Sequence, residues 1–213
     1  MNAQILVATL LIGLGLSHPA SAQLGGRSAD EWIRTLESAT RVNSLRIPEV
    51  IDALKIAPGQ VVADIGAGSG LFTLPMALKV KPGGTVYAVD IDQALLDHIR
   101  DVATEQGLVN IQGVLGLPDD PAMPANVDLA LIADVLHHIE HRPQYLKALA
   151  AYLKPGGRIA IVDFRPPQSP HRTDPALVVS EDETTVWMAA AGLKVVETIA
   201  MFSDKWFVVY GRQ

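Results

Sequence analysis

The sequence predicts a doubly wound α/β sheet, and three observations carry that expectation. Short β-branched or apolar runs alternate with helical patterns from about residue 60 onward. The runs near 60–65 and 85–89 lead directly into an aspartate and a turn, Asp64 and Asp90. The last two runs, 194–200 and 205–211, follow one another across Ser203-Asp204 with no helix between them. Alternating strands and helices imply parallel strands with right-handed crossovers, whereas a short turn between runs makes an antiparallel pair. The expectation is a seven-stranded, mostly parallel sheet with an antiparallel C-terminal strand pair.

The elements follow in order. Ile5 to Leu16 is a nearly continuous apolar run of twelve residues, short for a bilayer span, followed by Ala20-x-Ala22 before Gln23. This reads as a secretory signal peptide over residues 1–22, although Met1 to Gln4 carry no Lys or Arg. It implies a periplasmic or secreted protein with no stable membrane span after cleavage, or a cytoplasmic one if the start codon is mis-assigned. An N-terminal helical cap is expected over 23–57. Ser28-x-x-Glu31 has capping-box spacing, with Trp32, Ile33 and Leu36 on one face; a second helix starts at Pro48. The main domain, 58–213, opens after Pro58-Gly59. Its remaining strands are expected near 111–115, 127–132 and 157–163, and its helices near 70–80, 93–106, 143–153 and 180–191. Pro-Gly-Gly turns at Pro82 and Pro155 should close helices and launch the next strands.

Composition narrows the chemistry. With 49% hydrophobic and 19% charged residues in 213, the chain can bury a substantial core. The formal net charge of −6, without a Lys/Arg cluster, argues against nucleic acid as a partner. The absence of cysteine excludes disulfides, thiolate nucleophiles and Cys-ligated metals.

The most informative segment is Val61-Val62-Ala63-Asp64-Ile65-Gly66-Ala67-Gly68-Ser69-Gly70. Gly66, Gly68 and Gly70 allow close backbone approach, but the third glycine falls one residue early for a dinucleotide fingerprint. No Lys-Ser/Thr follows, so a P-loop is excluded. Asp90, at the end of Val86-Tyr87-Ala88-Val89, can accept hydrogen bonds from both hydroxyls of a ribose, with Ile91 against a base; Asp92 is the better N-cap for the helix that follows. Strand ends at the topological switch point of such a sheet line the ligand crevice.

These motifs resemble those of the class I S-adenosylmethionine-dependent methyltransferases, most closely the small-molecule, quinone-biosynthesis-like branch. The resemblance spans residues 48–211 and is specific over 61–164. It implies a Rossmann-like fold and S-adenosylmethionine as cofactor. Asp64, Gly66, Ala67, Gly68 and Gly70 would then take the methionine moiety, Asp90 the ribose, Ile91 the adenine, and Ala133 with Asp134 the methionine side. Where many relatives have Gly-Asp-Ala after the third strand, this chain has Gly116-Leu117-Pro118-Asp119-Asp120. Asp119 or Asp120 could supply the adenine contact, or the backbone could. Asp128 and the Leu153–Phe164 segment read as scaffold.

Catalysis by positioning needs no fixed dyad. His138 is the candidate general base or hydrogen-bond partner for the acceptor, against a structural role. His137 and His138 are expected to point in different directions. A metal site, which would need His141 as well, is not expected. Arg165, His171 and Arg172, in a proline-rich loop, could meet an anionic acceptor; Trp32 and Trp187 read as packing residues. The expected function is methyl transfer to an unidentified small-molecule acceptor. The alternatives are an exported, non-catalytic binding module that keeps the fold and, disfavoured by the glycine spacing, an NAD-dependent oxidoreductase.

Overall fold

The computed structural model describes residues 27–212, so the leader expected over 1–22 lies outside the described residues. Three short helices come first: α1 (Ala29–Leu36), α2 (Ala39–Leu45) and α3 (Ile47–Ala53). The capping box forms as its spacing predicts, with the Glu31 N–H donating to Ser28 Oγ at 3.3 Å and the Ser28 N–H donating to the Glu31 carboxylate at 3.0 Å. Pro48 sits in the first turn of α3. Between α2 and α3, Arg46 takes a left-handed conformation, φ 48°.

The sheet comprises β1 (Val61–Ile65), β2 (Thr85–Asp90), β3 (Ile111–Leu115), β4 (Val127–Ala133), β5 (Leu153–Phe164), β6 (Lys194–Thr198) and β7 (Lys205–Gly211). Helices α4 (Thr73–Lys79), α5 (Gln93–Glu105), α6 (Arg142–Ala151) and α7 (Glu181–Ala190) occupy the crossovers. The seven strands lie in the order β3-β2-β1-β4-β5-β7-β6; the first five are parallel and β7 runs antiparallel to both neighbours. Strand order reverses between β1 and β4, so the crevice of such a fold opens beyond their carboxyl ends.

Strand alternation divides the core into two layers. Ala63 and Ile65 of β1 join Leu146 and Leu149 of α6 and Met188 of α7, while Val62 joins Met76 of α4 and Val50, Ile51 and Leu54 of the cap. The cap therefore shares a core with the sheet. Surface ties reinforce it: Arg158 donates to the Leu54 carbonyl at 2.9 Å, and Arg46 donates to the Met201 carbonyl at 2.6 Å.

Two expectations fail locally. The helix placed at 70–80 begins only at Thr73, because the chain spends Leu71 and Phe72 completing the glycine turn. The Pro155-Gly156-Gly157 segment does not separate helix from strand. It is a bulge inside β5, where the partners of β4 jump from Val127–Leu153 to Leu129–Arg158.

Candidate functional site

Asp64 and Asp90 end neighbouring strands. Asp64 pairs with Ala88, so Asp90 lies two residues further along β2. Both are buried, at 3% and 8% exposure. Asp64 Oδ2 accepts a hydrogen bond from the fully buried Thr73 hydroxyl at 2.6 Å. Burial pushes the Asp64 carboxyl up to about 6, the nearby Asp90 charge adding to the rise and the Thr73 bond opposing it. Asp90 is also raised by burial, against hydrogen bonds from the Gly68 N–H (2.8 Å) and the Asp92 N–H (3.0 Å). The two buried acids thus lie at the carboxyl ends of adjacent strands, and the charge of Asp90 reaches Asp64.

The loop between them is fixed from both sides. The N–H groups of Gly66 and Ala67 both donate to the Val89 carbonyl, at 2.8 and 3.0 Å, and that of Gly68 to Asp90. Phosphate cradles use free loop N–H groups; here three are already committed. All three glycines have positive φ. A side chain at any of them would meet protein. A Cβ at Gly66 would meet Val135 at 2.5 Å, one at Gly68 would meet Leu36 of α1 at 3.1 Å, and one at Gly70 would meet Ile99 of α5 at 3.1 Å. The glycines let Val135, Leu36 and Ile99 pack onto the bend, with α1 as its roof. Within the loop, the buried Ser69 Oγ lacks a hydrogen-bond partner. Ile91 is half-buried beside Asp90, and Asp92 caps α5 through the Ala94 N–H at 2.8 Å.

Candidates after β3 separate. Asp119 is exposed, whereas Asp120 accepts from the Tyr152 hydroxyl at 3.0 Å and from the Ala122 N–H at 2.6 Å, a scaffold role. Asp128 likewise accepts from the Val61 N–H and Lys154 Nζ, both at 2.8 Å.

At the ends of β4 and β5 the acids have strong partners. Ala133 is buried and ends β4. Asp134, in a left-handed conformation at φ 55°, accepts from buried Lys205 Nζ at 2.6 and 2.5 Å. Arg41 of α2 adds Nη1 at 3.5 Å from Asp134, and its buried Nε has no partner. Asp163 accepts from His137 twice, from its backbone N–H at 3.1 Å and its ring Nδ1 at 2.8 Å.

The histidines depart from expectation. The rings of His137 and His138 lie together, centroids 4.2 Å apart, and do not diverge; the third ring beside them is His171, at 5.1 and 5.4 Å. His141 is exposed at the start of α6. Protein packed around the His138 ring pulls it down to about 4, helped by His137, His171 and Arg41 and opposed by Asp163. Arg142 braces this turn by donating to the carbonyls of Leu136 (3.0 Å), His137 (2.7 Å) and Ala176. Arg165 and Arg172 are exposed.

Sequence reasoning missed Thr73, Arg41, Arg142, the pairing of Lys205 with Asp134 and that of His137 with Asp163. A lysine opening the apolar strand Lys205-Trp206-Phe207-Val208-Val209 was a usable signal, because a buried lysine requires a carboxylate.

Residues 63–161 match the family described as "Methyltransferase domain". A ubiquinone/menaquinone biosynthesis C-methyltransferase from Ectopseudomonas mendocina is 33% identical over 122 residues, 56% of this chain and 48% of that protein. Over the segment that carries both acids and the glycine bend, the chain is therefore similar to the S-adenosylmethionine-dependent methyltransferases. The chain also shares 32% identity over 121 residues with nocamycin O-methyltransferase of Saccharothrix syringae, covering 56% of this chain and 43% of that protein. It thus spans about half the length of the curated relatives it matches. Its fold superimposes on a SAM-dependent methyltransferase from Aquifex aeolicus with a TM-score of 0.75 at 21% identity, covering 86% of this chain and 98% of that one. Magnesium protoporphyrin IX methyltransferase from Synechocystis with bound SAM gives 0.63 at 18% identity, covering 87% and 84%.

Proposed function

We propose that the protein transfers a methyl group from S-adenosylmethionine to a small-molecule acceptor. The observation that carries this reading is the pair of buried carboxylates, Asp64 and Asp90, each raised by burial, around a bend whose Ser69 Oγ lacks a partner. These residues fit the cofactor. Asp64 offers a buried negative charge for an ammonium group. Asp90 uses two of its acceptor sites on backbone N–H groups and keeps others for a ribose diol. Ile91 lies beside it for the adenine, and Ala67 and Ala133 form small walls near the methionine end.

The cofactor, when bound, supplies an activated methyl group on a sulfonium. The chain's own part is to hold donor and acceptor in line and exclude water. Leu36 and Val135, packed on the glycine bend, perform the exclusion. Arg41 and His138 belong to the acceptor side, where the unpaired Arg41 Nε suits an acceptor bearing an anionic or electron-rich oxygen. Of the two relatives, one is a C- and one an O-methyltransferase by name, in keeping with transfer to a small molecule.

Calorimetry of the full chain with S-adenosylmethionine, its demethylated product and NAD tests the reading. Binding of the two sulfur nucleosides and not NAD is the expected result; failure to bind either sulfur nucleoside overturns it. Binding without transfer to a panel of phenolic and quinol acceptors would favour a binding module. Export is part of the proposal, supported by the apolar run and Ala20-x-Ala22. Exported protein beginning at Gln23 is the expected result of N-terminal sequencing.

A further inference from the structure

We propose that His137, His138 and His171 bind a divalent transition metal ion, with Asp163 orienting His137 from behind. One ring nitrogen from each histidine lies within 4.8 Å of the others. Metal–nitrogen bonds of about 2.0–2.1 Å in tetrahedral array place ring centroids about 5 Å apart. The distances from His171 to His137 and His138, 5.1 and 5.4 Å, meet that condition, and the adjacent pair at 4.2 Å must open by about an ångström.

The surroundings are those of a ligand set. His137 Nδ1 faces the Asp163 carboxylate at 2.8 Å. A carboxylate only accepts, so Nδ1 carries the proton and Nε2 keeps its lone pair for a metal; this is the carboxylate–histidine arrangement behind many metal ligands. His171 is also positioned. Its N–H donates to the buried Ser169 Oγ at 3.0 Å, and Arg142 ties the His137 turn to the Ala176 carbonyl on the facing loop. Three converging imidazoles without a thiolate suit zinc, copper, nickel or iron rather than magnesium or calcium. Asp134, the nearest acid at the end of β4, is committed to Lys205 and does not compete.

Three protein ligands leave a fourth position open, as in catalytic rather than structural zinc sites. His138 is exposed, so that position is reachable from solvent. Within the proposed methyl transfer it takes an oxygen, nitrogen or sulfur atom of the acceptor. That assignment rests on the methyltransferase reading; metal binding itself does not.

The test uses the full chain without a polyhistidine tag, stripped by chelator and titrated separately with Zn²⁺ and Co²⁺. Expected are one Zn²⁺ per chain and the intense visible bands of four-coordinate Co²⁺. His171→Ala and His138→Ala, on less buried rings, should each weaken Zn²⁺ at least about tenfold and Asp163→Asn by about 10–100-fold. His141→Ala and His98→Ala should leave it unchanged. Circular dichroism and S-adenosylmethionine binding of His171→Ala, both unaltered, show that the loss is local; should that variant unfold, His138→Asn carries the comparison. Substoichiometric Zn²⁺, wild-type affinity in the His171→Ala and His138→Ala variants, or an equal loss in His141→Ala overturns the site. Metal failure with intact nucleoside binding removes this inference and leaves the proposed function standing.

Discussion

The carboxyl ends of β1 and β2 and those of β4 and β5 both present buried aspartates, but in opposite electrical states. Asp64 and Asp90 are held by neutral groups, a threonine hydroxyl and backbone N–H groups, and burial raises both. Asp134 and Asp163 are each closed by a side chain able to carry positive charge, Lys205 and His137. A buried charge without a counter-charge is costly unless something external completes it. The first pair is therefore poised for a cationic guest, while the second is closed within the frame at the ends of β4 and β5.

The largest effect should come from breaking the closed pair. Asp134→Ala leaves Lys205 buried and alone, and should cost about 3–5 kcal/mol in urea unfolding. Asp134→Ala combined with Lys205→Met should recover much of that loss. If the single variant costs no more than the double, the two regions do not differ as described.

Asp64→Asn should act in the opposite direction. The folded pKa of Asp64, about 6, lies above its unfolded value of 3.8, so folding favours the protonated acid. Its unfavourable contribution is absent below about pH 4, grows as pH rises through that interval, and is complete above about pH 6. The variant should therefore gain up to ~3 kcal/mol at pH 8 relative to wild type, and nothing at pH 3.5. It should at the same time lose cofactor binding. In wild type, cofactor affinity should rise with pH through about 6 and then level off, because the ammonium pairs with the ionised form. A pH-independent difference in stability would refute the buried, unpaired state of Asp64.

Asp90→Ala should weaken cofactor by about 1–3 kcal/mol, through lost charge-assisted hydrogen bonds. Calorimetry reads it directly, and unchanged affinity removes its ribose role. The smallest effect belongs to the roof. Gly68→Ala introduces a Cβ at φ 55° and 3.1 Å from Leu36, and should destabilise by about 1–2 kcal/mol. Adding Leu36→Ala relieves the contact and leaves the backbone cost, so the double variant separates the two.

The parts legible in the sequence are those written in local pattern. Every strand lies within a few residues of its expected place, and Asp64 and Asp90 announce themselves because an acid at a strand end before glycines is a contiguous signal. What escaped is written across distance. The His137–Asp163 contact spans 26 residues and the Lys205–Asp134 contact 71, and no periodicity encodes which side chains a parallel sheet brings side by side. Helix α2 was overlooked because Ala-Thr-Arg-Val-Asn-Ser-Leu has only Val42 and Leu45 to mark a buried face, and its Arg41 went with it. The Pro155 bulge was misread since Pro-Gly-Gly is turn chemistry in either setting, and only the register of β4 against β5 distinguishes them.

That bulge has a practical use. Pro155 and Gly156 are exposed and sit at the amino end of β5, on the rim of the sheet opposite the acids and histidines. In a chain without native cysteine, Pro155→Cys, which avoids the left-handed Gly156, would give a single thiol for a fluorophore or surface tether, reporting from the far side while the reactive rim stays untouched.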